Sequence, residues 1–177
     1  MTSSPLKQKD FRLKGMTRTE ITAVIVHVLV SLTFWAIYKL DLIPTENLKG
    51  WINVYYFLVP FAVVGLFFRN LRSFKFYLTW ILISVGQLVI YFMVDGLTEF
   101  FYQRGTAFSG LKALLPTLII FQLFRIFLLK TQGRELIVTM RIGRFTMWEE
   151  DDNRNMTWIE VAFSLILFGT IITFNVL

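Results

Sequence analysis

The polar side chains that could do chemistry in this chain stand singly inside long apolar runs. An ionisable or amide group in hydrocarbon is costly, so each is a candidate for function. The chain has no cysteine, and its sequence has no pattern typical of a catalytic triad, a phosphate-binding loop or a zinc protease. We therefore assign no catalytic, cofactor-binding or metal-binding residue. The candidate intramembrane polar residues are His27, Gln87, Gln122, Arg125 and Glu160.

His27 is the single histidine of the chain. No cysteine, histidine or carboxylate stands one helical turn away to complete a metal site,. We therefore expect His27 to hydrogen-bond a neighbouring helix, and we expect the same of Gln87 and Gln122. The functional alternative for Gln87 is a place on a transport pathway.

Arg125 lies in the apolar stretch LLPTLIIFQLFRIFLLK, close to its basic end at Lys130. The separation along a helix is about 7 Å at 1.5 Å per residue. An arginine side chain can cover this distance and place its guanidinium among the lipid headgroups. We expect Arg125 to be such an anchor. The alternatives are a functional charge or an interior ion pair, for which Glu160 is a candidate partner.

Composition predicts that these residues belong to a membrane protein. Hydrophobic residues make up 55% of the 177 residues and charged residues 17%, whereas soluble domains have about 25% charged residues. Apolar runs close to the roughly 20 residues needed to cross a bilayer recur along the chain. The predicted fold is an all-α membrane protein with five transmembrane helices, at residues 21–40, 51–68, 74–94, 107–129 and 158–176.

Basic residues predict the orientation of these spans, because lysine and arginine favour the cytoplasmic side. With the N-terminus in the cytoplasm and the C-terminus outside, only Lys39, Lys49, Arg104 and Lys112 of the 18 basic residues lie outside. The chain then divides into a basic cytoplasmic segment 1–20, a four-helix unit 21–129, a cytoplasmic loop 130–157 and a fifth helix 158–177.

The second and fourth spans share a pattern, FLVPFAVVGLFFR and ALLPTLIIFQLFR. Pro60 matches Pro116 and Arg69 matches Arg125 at one offset. This repeat favours two tandem helical hairpins followed by one added helix, with the two arginines as equivalent anchors. Both prolines are candidate helix kinks, because each removes a backbone donor in mid-span.

Local patterns predict how the span ends are built. TRTE at residues 17–20 and TWIE at residues 157–160 fit the capping box, in which threonine and glutamate satisfy each other's backbone amides at a helix start,. Helix capping is therefore the expected role of Glu20 and Glu160. The aromatic residues Trp51, Tyr55 and Tyr56 are expected to form an interfacial belt at the outer boundary.

The cytoplasmic loop 130–157 is the longest segment outside the predicted spans. Its alternating apolar residues fit either a hairpin about Ile142 and Gly143 or an interfacial helix,. An apolar face on so short a segment needs cover from the bilayer surface or from another protein. The candidate partner-contact residues are Met140, Phe145, Met147 and Trp148.

These features favour an accessory or scaffolding integral membrane subunit of a larger membrane protein complex. The alternatives are a small oligomeric channel or transporter and, with less support, a membrane enzyme acting on a lipid or quinone-like substrate through His27, Arg125 and Glu160. The expected partners are anionic lipid headgroups and other membrane subunits or further copies of the chain. The net charge of +6 needs no nucleic acid to explain it. Size and charge bias favour a bacterial inner membrane.

Overall fold

The structure of the chain, a computed structural model, describes residues 15–94, 100, 107–138 and 157–176. In these ranges it has five α-helices and no strand. All five are long and apolar enough to cross a membrane. This confirms the all-helical prediction and indicates a multi-pass membrane protein, while insertion and orientation stay predictions. The helices are α1 (Arg18–Lys39), α2 (Thr45–Leu66), α3 (Phe74–Val94), α4 (Ser109–Gln132) and α5 (Trp158–Val176), with a 3-10 turn at Asn70–Arg72 between α2 and α3.

Several helix boundaries differ from those that the apolar runs predict, and two of these differences have a local cause. α2 begins at Thr45 and not at Trp51, after Pro44 with its φ of −50°. Glu46 lies in the first turn, where the positive end of the helix dipole stabilises a negative charge,. The polar stretch TENLKG therefore forms the start of the helix, although it is too polar to be predicted as part of a membrane span. α4 continues to Gln132 and stops at Gly133, whose φ of 63° is a left-handed conformation that suits glycine,.

α4 is the central helix of the described bundle, because it packs against α2, α3 and α5. Leu114, Leu118 and Phe121 on α4 form the main core together with Val64 of α2 and Leu167 of α5. A smaller core joins α2, α4 and Phe100 at the opposite end of the bundle from Arg125. α1 packs mainly on α2 and has only two buried residues, Glu20 and His27.

The predicted equivalence of Arg69 and Arg125 is wrong. α2 ends at Leu66, so Arg69 follows the helix, where its guanidinium lies 5.9 Å from the centre of the Phe68 ring. Arg125 instead stands inside α4, buried at 4% exposure. The two sequence patterns therefore end in different local structures, because the 3-10 turn interrupts one and α4 continues through the other.

Both predicted capping boxes are present. At the start of α1 the Thr17 amide donates to Glu20 Oε2 at 2.6 Å, and the Glu20 amide donates to Thr17 Oγ1 at 3.3 Å. At the start of α5 the Thr157 amide donates to Glu160 Oε2 at 2.9 Å, and the Glu160 amide donates to Thr157 Oγ1 at 3.3 Å. Each box satisfies backbone donors that the first helical turn leaves unpaired.

The chain turns back on the bundle after α4. Beyond Gly133 the side chains of Leu136, Ile137 and Val138 are buried in the main core, beside Leu71 and Leu128. These three apolar residues at the start of the predicted loop are thus covered by the chain itself. Neither the bilayer surface nor a partner is needed to cover them.

Candidate functional site

His27 lies where α1 meets α2 and α3. Its Nδ1 is 2.8 Å from the Tyr55 hydroxyl oxygen, and its Nε2 is 2.9 Å from the Gln87 amide nitrogen. The Trp80 ring lies 5.3 Å from the imidazole, centre to centre. We call His27, Tyr55, Trp80 and Gln87 the histidine cluster. His27 thus bonds two neighbouring helices, which is the role that an isolated polar residue in an apolar helix is expected to have.

Tyr55 makes contacts inside the bundle that the predicted interfacial belt did not include. Because α2 begins at Thr45, Tyr55 lies well inside the helix, about 15 Å from its start at 1.5 Å per residue,. Its hydroxyl bonds His27 and its ring stacks on the imidazole at 5.7 Å. The interfacial belt therefore stays a prediction, and the contact with His27 is a role of Tyr55 that the sequence did not indicate.

With the Gln87 amide oriented as in the structure, the hydrogen bonds give one set of proton positions for the histidine cluster. The amide nitrogen of Gln87 can only donate, so His27 Nε2 accepts and the ring proton sits on Nδ1,. Nδ1–H then donates to the Tyr55 oxygen, which leaves the tyrosine O–H to bond elsewhere. Its acceptor in the described structure is the His27 carbonyl at 3.5 Å, the long limit for such a bond,. That carbonyl already accepts from Ser31 at 2.9 Å.

Two further polar atoms of the cluster are buried and have no hydrogen-bond partner among the described residues. They are the indole nitrogen of Trp80 and the amide oxygen of Gln87. A buried polar atom without a partner costs roughly 1–3 kcal/mol. Such atoms in a native structure call for an explanation, and a bound molecule is one.

A groove of about 580 Å³ runs between α1 and α2 and ends at the histidine cluster. It is open at the side, and its walls are apolar except for Arg18 and two threonines near one end and His27 and Tyr55 at the other. The small side chains of Ala23 and Ala62 help to leave the gap between the helices. Binding sites for small molecules are typically apolar, have a few placed polar groups and enclose roughly 300–1,000 Å³.

Arg125 is not an anchor among headgroups. Its side chain is buried, with Nε donating to Glu135 Oε2 at 2.7 Å and Nη2 donating to Glu135 Oε1 at 2.9 Å. This two-bond arrangement is the strong geometry of an arginine–carboxylate pair. The anchor prediction is therefore wrong, because the chain turns back after Gly133 and brings a carboxylate to the guanidinium. The structure matches the alternative of an interior ion pair, although with Glu135 as partner.

Arg72 adds a second link to the same segment. Its Nη2 donates to the Leu136 carbonyl at 2.9 Å, and its Nε lies 3.9 Å from Glu135 Oε2. We call Arg72, Arg125 and Glu135 the inner clamp, because they join the α2–α3 turn to the segment after α4. Close by in sequence, Asn70 donates to Glu20 Oε1 at 2.8 Å and ties the same turn to the start of α1.

The other predicted polar residues take structural places. Glu160 is fully buried and caps α5. Gln122 is partly buried, and its amide oxygen has no hydrogen-bond partner in the described ranges. Pro60 and Pro116 lie inside continuous helices, α2 and α4, so kinks at these positions stay predictions. Among the described residues no group of three or more histidines or acids could hold a metal ion.

The partner-contact residues predicted from the sequence, Met140, Phe145, Met147 and Trp148, lie outside the described residues. Tyr55, Trp80, Arg72 and Glu135 were not among the predicted site residues. For Glu135 a signal exists, since Gly133 is a typical helix stop and an acid directly after it can return to a basic residue of the same helix,.

Comparison of the chain with protein-family models, with curated proteins and with solved structures found no match. The function must therefore be argued from the helices, the inner clamp and the groove.

Proposed function

We propose that the protein is an accessory or scaffolding integral membrane subunit of a larger membrane protein complex, located in a bacterial inner membrane with its N-terminus in the cytoplasm. The observation that carries this proposal is the inner clamp. In the inner clamp two arginines and a glutamate, all buried or half-buried, join the α2–α3 turn to the segment after α4. The Asn70–Glu20 contact links the same turn to the start of α1.

Charges used in this way support a structural role. A protein with a buried ion pair is often no more stable than one in which apolar residues replace both charges. The pair nevertheless favours one arrangement of the groups that it joins. Here it fixes where the chain leaves α4, since Glu135 and Leu136 are both held. The rest of the loop 130–157 therefore starts from a fixed position on the bundle, which suits a scaffolding role.

The proposed partners follow from charge and hydropathy. The basic segment 1–20 would attract anionic headgroups at about 1 kcal/mol for each charge near the surface. The apolar loop residues Met140, Phe145, Met147 and Trp148 are the proposed contact with another membrane subunit or a second copy of the chain. The exposed apolar side chains of α1, such as Ile25, Leu29 and Leu32, offer a further helix surface within the membrane.

Affinity purification from native membranes in mild detergent, followed by mass spectrometry, tests this proposal. We expect foreign membrane proteins in fixed ratio to the chain, and we expect the double variant Phe145→Ser/Met147→Ser to lose them. Met93→Ser, at a residue 77% exposed near the end of α3, is the matched control and should retain them. Recovery of the chain as a well-behaved monomer would refute the proposal, and recovery as a discrete homo-oligomer alone would favour a channel in its place.

A further inference from the structure

We propose that the groove between α1 and α2 binds a lipid-soluble carbonyl compound of the isoprenoid-quinone class. The apolar tail would lie along the groove, and a headgroup oxygen would accept a hydrogen bond from Tyr55 at the histidine cluster. This inference does not rest on the proposed subunit role, since a scaffold and a free-standing protein could both hold such a molecule.

The case for a carbonyl headgroup rests on a donor that lacks a good acceptor. Among the described residues the Tyr55 hydroxyl has only the His27 carbonyl as its acceptor, at the long distance of 3.5 Å. Tyr55 lines the groove, whereas the indole nitrogen of Trp80 is enclosed by the protein and does not face a ligand there. A ligand that brings an acceptor there removes an energetic cost that the empty site bears.

His27 and Gln87 set the polarity of this site without needing to touch the ligand. Gln87 donates to Nε2, so Nδ1–H donates to the tyrosine oxygen, and the tyrosine O–H is left with only its long bond to the His27 carbonyl. They are positioning residues in this account. Gln87 does not line the groove, so its amide oxygen does not compete with the ligand for the hydrogen bond from Tyr55.

The shape of the groove fits a tail that enters from the bilayer. Arg18 and His27 mark its two ends on α1, about 14 Å apart at 1.5 Å per residue,. Between them Val26, Val59 and Val63 supply apolar walls. The open side lies between two helices of membrane-spanning length, so a ligand dissolved in the bilayer reaches it without crossing water.

A phospholipid acyl chain is a poorer occupant of the same groove. Its headgroup would sit near Arg18, and its methyl end would meet the Tyr55 hydroxyl without offering an acceptor. An anionic amphiphile with its head at the histidine cluster would bury a charge beside a neutral imidazole, which is costly. A neutral molecule with a carbonyl oxygen avoids both problems.

Equilibrium binding to the purified full chain in detergent tests the inference, with decylubiquinone as the probe and decylbenzene as the same tail without carbonyl groups. We expect saturable binding of decylubiquinone and weaker binding of decylbenzene. Tyr55→Phe should weaken decylubiquinone binding about tenfold, the value of a well-placed hydrogen bond, and leave decylbenzene unchanged. Ala62→Phe should fill the groove and abolish binding of both.

Matched variants separate binding from folding. Tyr77→Phe removes a tyrosine hydroxyl from α3 outside the groove, and Ala162→Phe adds the same ring to an exposed position of α5. Both should bind like the unmodified chain. Equal affinity for the two probes with no effect of Tyr55→Phe would overturn the carbonyl site in favour of an acyl-chain groove. Absence of saturable binding, or wild-type binding by Ala62→Phe, would overturn the site altogether.

Discussion

Glu135 makes the contacts on which the position of the chain after α4 depends. It accepts two hydrogen bonds from Arg125, whose side chain is 5% exposed, while its own side chain is 28% exposed. These two hydrogen bonds therefore lie where water can replace little of them. Removing one member of such a pair leaves a charge poorly compensated, which costs more than the intact pair contributes.

Glu135→Gln is expected to lower the free energy of unfolding by about 2–3 kcal/mol, because the amide cannot accept both arginine bonds as an anion does. Unfolding of the purified protein by titration of sodium dodecyl sulfate into mild detergent measures it. Glu46→Gln is the control, since Glu46 is 79% exposed where it pairs with Lys49 at 2.6 Å. Its expected cost is below about 1 kcal/mol, and an equal loss in both variants would contradict the role given to the clamp.

Residue types in the sequence identified the positions of interest better than their partners. His27, Gln87 and Arg125 were recognisable as polar groups in apolar runs, and all three make interhelical or ion-pair contacts. Their partners Tyr55 and Glu135 were not identified, because each depends on where a helix begins or ends, and for Glu135 only the helix stop at Gly133 gave a signal. A long-range contact is set by tertiary packing, which no local pattern encodes.

Gly110 shows how closely the helices approach at one point. A Cβ at this position would lie 2.6 Å from the Tyr56 carbonyl carbon, 2.7 Å from its oxygen and 2.8 Å from Asn175 Oδ1. α2, α4 and α5 therefore meet here through a residue without a side chain. Small residues of this kind are what lets membrane helices pack backbone to backbone.

Gly110→Ala is expected to destabilise the bundle by about 1–3 kcal/mol, because the methyl group forces α2 and α4 apart. Gly86→Ala and Gly169→Ala are matched controls, since a Cβ at either glycine meets no atom within 4 Å. They should be neutral or stabilising, given that alanine is the better helix former by roughly 1 kcal/mol. Detergent unfolding distinguishes the three variants, and a stable Gly110→Ala protein would mean that the helices do not approach so closely.

The cap of α5 gives a second prediction for an element. Thr157→Ala removes the oxygen that accepts from the Glu160 amide, and we expect a loss of about 1 kcal/mol,. Thr170→Ala is the control, since this hydroxyl bonds a carbonyl within the same helix and caps nothing. Equal stability of the two variants, measured by the same unfolding titration, would show that the cap contributes little.

Helices could be predicted well from apolar runs, and helix starts from capping boxes, because both signals are local. The start of α2 was missed because TENLKG is polar and hydropathy does not register the favourable helix start after Pro44. For the same reason the position of Tyr55 well inside α2 was not predicted. The tandem repeat failed at Arg69 for a related reason, since the end of α2 depends on the 3-10 turn that follows it.

At the scale of the whole molecule, we propose that one end of the bundle faces the cytoplasm. The starts of α1 and α5 and the end of α4 share that end with the inner clamp, joined by the Glu20–Asn70 and Arg72–Leu136 contacts. Charge bias predicts this end to be cytoplasmic, and the proposed scaffolding role depends on this orientation.

Cysteine accessibility in intact bacterial cells tests this orientation most directly, because the chain has no cysteine of its own. Single cysteines would replace Gly15, Leu42 and Thr131, all exposed residues outside or at the ends of the helices. We predict that a membrane-impermeant maleimide labels Leu42→Cys from outside and labels Gly15→Cys and Thr131→Cys only after permeabilisation. Labelling of Gly15→Cys and Thr131→Cys in intact cells, with Leu42→Cys protected, would contradict the account.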